Sequence, residues 1–229
     1  MKFGIIGAMD EEIELLKQSM NDKKEVTIAN AQFIEGELED QQVILVKSGI
    51  GKVNAAMTTA ILMETFHPDY VINTGSAGGF AEDLSVGDVV ISEEVVHHDV
   101  DVTAFDYEYG QVPDLPPRFS SDLRLVSETE TALKKLEVPY KTGLIATGDS
   151  FLSSKERVYF IREKFPTMLA GEMEAAAIAQ VCYQYDVPFV VIRALSDIAG
   201  KSSEISFDAF LDTAAKNAAN MILTVLRQA

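Results

Sequence analysis

Four short stretches of the 229-residue sequence carry side chains that could do chemistry together. Glu12 closes an acidic run, Asp10-Glu11-Glu12, directly behind the apolar segment Phe3-Gly4-Ile5-Ile6-Gly7-Ala8 and Met9. Glu172-Met173-Glu174 sets two carboxylates two residues apart, so in an extended segment both point to one side, where they could accept hydrogen bonds from sugar-like hydroxyls. Ser196-Asp197 follows the most apolar run of the chain, where desolvation favours the protonated acid and keeps a proton for donation. Gly75-Ser76-Ala77-Gly78-Gly79 is small enough for backbone N–H groups to converge on a polar ligand. Each stretch also has a plainer reading: a carboxylate favoured by a helix dipole for Glu12, helix-start decoration for Glu172 and Glu174, a helix cap or a partner for Arg193 in Asp197, and a tight turn for the glycines.

Other suggestive stretches fail on spacing. Gly49-Ile50-Gly51-Lys52 resembles the end of a phosphate loop, but Val46 stands where the first glycine is needed; Asn54 likewise replaces the third glycine of a dinucleotide fingerprint. His97-His98-Asp99-Val100-Asp101 alternates faces on a strand and lacks a further ligand cluster, so no metal is expected. Cys182, the one cysteine, sits on the inward face of an alanine-rich helix and reads as packing.

The elements that must position these residues alternate. Phe3 to Ala8 reads as a buried strand and is followed by a helix with Asp10 as N-cap and Ile13, Leu16 and Met20 on one face. Residues 24–29, 32–38 and 41–48 read as an antiparallel meander with breaks at Asn30-Ala31 and Glu39-Asp40. A helix over 52–66, a strand over 70–74 ending at the glycines, and a strand over 88–96 come next. Thr103 to Phe119, with three prolines and four aromatics, is the longest expected loop. Helices over 121–136, 154–165 and 175–185 then alternate with strands over 141–146, 167–170 and 189–195, before a closing helix striped by Phe207, Phe210, Leu211, Ala214, Ala218, Ile222 and Leu226. No repeat or linker interrupts residues 1–229, which predicts one α/β domain, a three-layer αβα arrangement with a central mixed sheet. In such sheets ligands bind at the carboxyl ends of strands, where the four stretches fall.

Composition narrows the partners. Nineteen Lys and Arg against thirty-six Asp and Glu give a net charge of −17, opposite to what a nucleic-acid backbone or an anionic membrane attracts. A lone cysteine excludes an internal disulfide and suits a reducing cytoplasm, and no apolar stretch approaches the roughly 20 residues of a membrane span.

Taken together, Gly4 to Glu12, Ser48-Gly49-Ile50-Gly51-Lys52-Val53-Asn54-Ala55-Ala56, Asn73 to Gly79, Glu172-Met173-Glu174 and Arg193-Ala194-Leu195-Ser196-Asp197 resemble the bacterial 5′-methylthioadenosine/S-adenosylhomocysteine nucleosidases over the whole chain. The resemblance implies a cofactor-free homodimer with the nucleoside phosphorylase fold, hydrolysing the N9–C1′ bond to adenine and a 5-thio-substituted ribose. It implies that Asp197 protonates adenine N7, Glu12 activates water, and Glu174 holds the ribose 2′-hydroxyl beside Met173. Ser76, Ala77, Gly78, Arg193, Ser196 and Glu172 would order the polar side of the site, Phe151 would stack on adenine, and the backbone of Leu152 would read its edge. Met9, Ile50, Val102, Phe105 and Phe207 would line the 5′-thioalkyl pocket, completed by Tyr107 and Pro113 of the partner subunit. Three rivals stay open: a purine nucleoside phosphorylase, whose pattern carries arginine where this sequence has Asn73; a nucleosidase for futalosine or AMP; and a non-catalytic nucleoside-binding module.

Overall fold

The computed structural model of the chain describes residues 1–200 and 203–228. Strand β1 (Lys2–Gly7) leads into helix α1 (Asp10–Ser19), followed by the meander β2 (Asn21–Ile28), β3 (Ala31–Leu38) and β4 (Gln41–Lys47). Helix α2 (Lys52–Phe66) connects to β5 (Tyr70–Gly79), then β6 (Val89–His97), a 3₁₀ turn at Thr103–Phe105 and the short β7 (Phe119–Ser120). Helices α3 (Leu123–Lys135), α4 (Lys155–Lys164), α5 (Ala175–Tyr185) and α6 (Ser203–Leu226) alternate with β8 (Tyr140–Thr147), β9 (Met168–Glu172) and β10 (Phe189–Ile198).

Alternation along the strands decides the layers. Ile5, Val43, Leu45, Ile72, Val190 and Ile192 pack on one face against α1, α3 and α6, whereas Ile6, Ile44, Val46, Val71 and Val191 pack on the other against α2 and α5. This is the expected three-layer α/β arrangement around a mixed sheet, with strand order β10-β6-β8-β9-β5-β1-β4-β3-β2 and β7 paired to β6. A further pairing of β10 with β5 closes the first five strands of that order into a ring. The ring is why β5 and β10 are longer than expected. Gly78 and Gly79 pair with Gly171 and Ala170 of β9 on one side and with Asp197 and Ile198 on the other, so the glycine segment is strand rather than turn. Ser196 and Asp197 likewise lie within β10, at a register shift between Leu195 and Asp197. Such a bulge rotates the side chains beyond it relative to the regular pleat.

Two local expectations need correction. The N-cap of α1 is Met9, not Asp10. The Glu12 carboxylate, reaching back from the first turn, accepts from the backbone N–H groups of Ala8 (2.7 Å) and Met9 (3.2 Å), and Asp10 instead pairs with Lys47 at 2.8 Å. The first meander turn lies at Ala29-Asn30 rather than Asn30-Ala31, with both residues left-handed (φ 48° and 64°). Two consecutive positive φ values match the twist of a tight hairpin. Ser154 does cap α4, its hydroxyl accepting from Arg157 N–H at 3.4 Å. Among the described residues no helix is long and apolar enough to cross a membrane.

Alanine gains nothing in the left-handed region, whereas asparagine tolerates it. Ala29→Asn is therefore expected to stabilise the fold by about 0.5 kcal/mol in urea denaturation; an unchanged or lowered midpoint would show that the turn carries no such strain.

Candidate active site

The strands converge on a cavity of about 290 Å³. Its polar wall is made by Glu12, Ser76, Glu172, Glu174 and Asp197, and its apolar wall by Met9, Ile50, Met173, Phe151 and Phe207, with Ala77, Gly78 and Ser196 between. A recess of about 40 Å³ shares Gly78, Phe151 and Asp197 with it and adds Leu152. Ala8 and Gly171 also line the cavity, though only their position inside the Gly4–Glu12 motif and beside Glu172 could have pointed to them. The Phe151 and Phe207 rings meet edge to face at 5.9 Å.

One buried cation organises the carboxylates. Arg193 is fully buried on β10; its Nη2 donates to Asn73 Oδ1 (2.7 Å) and to Glu172 Oε2, and lies 3.6 Å from Glu174 Oε2. Its Nη1 faces the Thr74 carbonyl at 3.4 Å. Burial alone would lower the Arg193 pKa, but the charges of Glu172, Glu174 and Glu12 outweigh it and hold the guanidinium above its usual value. Asn73 is itself fixed, since its Nδ2 donates to the Ile6 carbonyl at 2.9 Å.

The two neighbouring glutamates do different work. Glu172 Oε2 also accepts from the N–H groups of Glu174 (3.0 Å) and Ala175 (2.8 Å), satisfying the start of α5, while Oε1 accepts from the Thr147 hydroxyl. Thr147 in turn accepts from Ala176 N–H at 2.8 Å, a role with no signal in the sequence because nothing marks a strand-end threonine as a helix partner. Glu174 is held by one backbone donor, Gly51 N–H at 2.9 Å. Burial, and then the negative charge of Glu172, push the Glu174 pKa from the usual 4.5 to about 7 despite Arg193 nearby.

Glu12 is buried, so the reading of a solvent-facing helix carboxylate does not hold. Besides its two bonds to Ala8 and Met9, its Oε1 accepts from Ser76 N–H (3.0 Å) and Ser76 Oγ (3.1 Å). Gly75 makes this possible: a Cβ there would lie 2.6 Å from Glu12 Oε1 and would also strike Arg193 Nη1. Asp197 sits across the cavity, with Ser196 Oγ 3.0 Å from its Oδ1 and its Oδ2 where a Cβ on Gly78 would come within 3.2 Å.

Not every expected residue comes here. Val102, Phe105, Tyr107 and Pro113 are not among the described residues lining either space; they lie on the segment between β6 and β7, where Phe105 is 75% exposed. His97 and Cys182 have structural surroundings: His97 Nε2 is 3.0 Å from Gln180 Oε1, and the buried Cys182 thiol has its pKa pushed far up by desolvation.

A mixed sheet closed between two helical layers, with a nucleoside-sized cavity at the strand ends walled by carboxylates, defines a class, and the chain belongs to the Phosphorylase superfamily, whose family model matches residues 2–227. Within that superfamily its relatives are nucleosidases. The 5′-methylthioadenosine/S-adenosylhomocysteine nucleosidase of Geobacillus sp. (strain WCH70) is 62% identical over 227 residues, covering 99% of this chain and 98% of the relative. The solved nucleosidase of that name from Neisseria meningitidis, in complex with methylthio-immucillin-A, superposes with a TM-score of 0.98 at 51% identity, covering 100% of this chain and 99% of the other. That from Colwellia psychrerythraea 34H, in complex with adenine, gives 0.98 at 51% identity, covering 100% and 95%.

With Glu174 raised to about 7, carbon-13 NMR of the glutamate carboxyls is expected to show one buried group titrating near neutrality, a signal lost in Glu174→Gln. The folded chain then keeps a proton that the unfolded chain has released, so this group's contribution to stability falls as pH rises from the usual 4.5 to about 7. A Glu174 carboxyl already ionised at pH 5 would contradict both.

Proposed function

We propose that the cavity is the active site of a nucleosidase that hydrolyses 5′-methylthioadenosine and S-adenosylhomocysteine to adenine plus 5-methylthioribose or S-ribosylhomocysteine. The observation that carries this reading is the placement of Glu12, Glu174 and Asp197 around one cavity with an apolar end at Met9, Ile50 and Phe207. Glycoside hydrolysis through an oxocarbenium-like transition state needs an acid at the leaving group and a base on water. Asp197 gives a proton to adenine N7 as the N9–C1′ bond breaks, and the bonding pair leaves with the base. Glu12 takes a proton from the water whose oxygen bonds to C1′; its four hydrogen bonds fix the direction from which that water is approached. Glu174 accepts from the ribose 2′-hydroxyl beside Met173, and in its ionised form it favours the cationic sugar. Arg193, Glu172, Ser76 and Ser196 hold these groups in place, with Ala77 and Gly78 forming the backbone between them. Phe151 stacks on the base and the Leu152 backbone meets its edge.

Water, rather than phosphate, is the nucleophile this wall supports. Among the described residues lining the cavity there is no Lys or Arg, and Arg193 is already committed to Asn73 and Glu172. A phosphate dianion would meet Glu12 and Glu174 without a free cation. Asn73, where a phosphorylase would carry arginine, serves as a strut.

The chain acts as a homodimer in this reading. Ile50, Val53 and Phe105 expose apolar surface at 51%, 78% and 75%, which a second copy would cover. Val102, Phe105, Tyr107 and Pro113 then belong to the 5′-end of the neighbouring cavity, where burial of the methylthio group gains about 0.8 kcal/mol per CH₂-sized unit. A buried lone cysteine fits a reducing cytoplasm.

Incubation with methylthioadenosine should release free adenine and free methylthioribose at the same rate with or without phosphate. A sugar 1-phosphate formed only with phosphate would overturn hydrolysis. Asp197→Asn and Glu12→Gln should each lower kcat roughly 10²-fold or more with an unchanged circular dichroism spectrum, and near-normal turnover in either would remove that residue from its role.

A further inference from the structure

Lys52, at the end of the Gly49-Ile50-Gly51-Lys52 turn, and Asp99, at the end of the His97-His98-Asp99 run, line neither cavity, and in the folded chain they meet. Lys52 Nζ donates to Asp99 Oδ1 at 2.6 Å. Asp99 Oδ2 accepts from the backbone N–H of Asp149 at 3.0 Å. Asp149 Oδ1 accepts from the backbone N–H of Lys52 at 2.8 Å, closing a ring of three residues at the N-terminus of α2, where the helix dipole favours the carboxylate.

The ring is built in rather than incidental to the surface. The Lys52 and Asp99 side chains each keep only 20% of their exposure, so their attraction is less screened than that of an open surface pair. Gly51, with φ 95°, lets Asp149 approach, since a Cβ there would lie 3.1 Å from Asp149 Oδ1. On the far side, the buried His98 ring occupies the space that a Cβ on Gly148 would need, so the exit of β8 is pressed against the exit of β6.

Lys52 and Asp149 flank segments that border the cavity, and Asp99 ties the two together. Lys52 follows Ile50 and Gly51, and Gly51 N–H is the one backbone donor to Glu174. Asp149 precedes Phe151 and Leu152, the base-side residues. Asp99 begins the segment that carries Val102 and Phe105. We propose that Asp99 is a positioning residue for the nucleosidase reaction: through Lys52 and Asp149 it fixes the base-side segment relative to the turn that holds Glu174, so that the grip on adenine and the grip on ribose are set together. This rests on the nucleosidase reading, and the ring itself can be tested without it.

The test compares Asp99→Ala, Lys52→Met and the double variant. Each single variant should raise KM for methylthioadenosine, and the dissociation constant for adenine, about tenfold, the size of one lost charge-assisted hydrogen bond. The fall in kcat should stay under about threefold, because the acid and base are untouched. Since the three residues act as a closed unit, the double variant should be no worse than either single one. Hydrogen exchange should speed up together in the peptides covering 50–54 and 148–152. Wild-type KM in both single variants, or a double variant with about a hundredfold additive loss, would overturn the proposal. A wild-type protein that releases no adenine would overturn the nucleosidase reading instead; in that case unchanged exchange in the two peptides of Asp99→Ala would overturn the ring, and joint acceleration would uphold it.

Discussion

A single positive charge in a dry sheet interior sets the terms for the whole molecule. Arg193 must be paired because an isolated guanidinium there is prohibitively costly, and its neighbours come from two distant parts of the chain, Asn73 on β5 and the Glu172-Met173-Glu174 stretch. Two or three carboxylates around one cation leave the cluster short of compensation. Burial first, and then the negative charge of Glu172, raise Glu174 while Arg193 stays charged. The rest of the site follows: Asn73 is spent as a strut, Glu172 lines the cavity while serving as a helix partner, and Glu174 lines it with one backbone donor among the described residues, Gly51. An arrangement that had to bind phosphate would need a second cation; among the described residues lining this cavity there is none, and Arg193 is spent on holding carboxylates.

Strand geometry converts this cluster into a working surface. Closing β5, β10, β6, β8 and β9 into a ring brings the ends of β5, β9 and β10 side by side, so Ser76 shares one space with Glu172 and Asp197, which lie far along the chain from it. The bulge at Ser196 turns Asp197 toward that space, and Gly75 gives Glu12 and Arg193 room to approach the same point of β5. Shape and charge are thus solved by the same few backbone positions.

Much of this was legible in the sequence, and the failures have physical causes. The apolar alternation of Ile5-Ile6, Val43 to Val46 and Val190 to Ile192 announced strands buried on both faces, and the helices followed from their stripes. The carboxylates stood out by their place at strand ends. What local pattern could not reveal was pairing at a distance: Gly75 to Gly79 looks like a turn until β9 and β10 are found on both sides of it. Asp10 looked like the better cap because the reach of Glu12 back to Ala8 and Met9 depends on the Ser76 backbone far along the chain. Val102 and Phe105, apolar residues on an irregular segment, carry no direction of their own.

The same long-range pairing has a consequence for how the protein is made. β10, residues 189–198, pairs in parallel with residues 71–79 of β5 across more than a hundred intervening residues. Contacts of such separation form late and slowly, since the loop they close must be ordered before they repay it. On a ribosome, β5 therefore waits with one edge open, its Asn73 side-chain oxygen Oδ1 lacking its guanidinium, until residues 189–198 have emerged. A truncated chain lacking β10 would carry an exposed strand edge and a half-built polar centre, so the activity and the protection of β5 against mispairing are completed by the same ten residues.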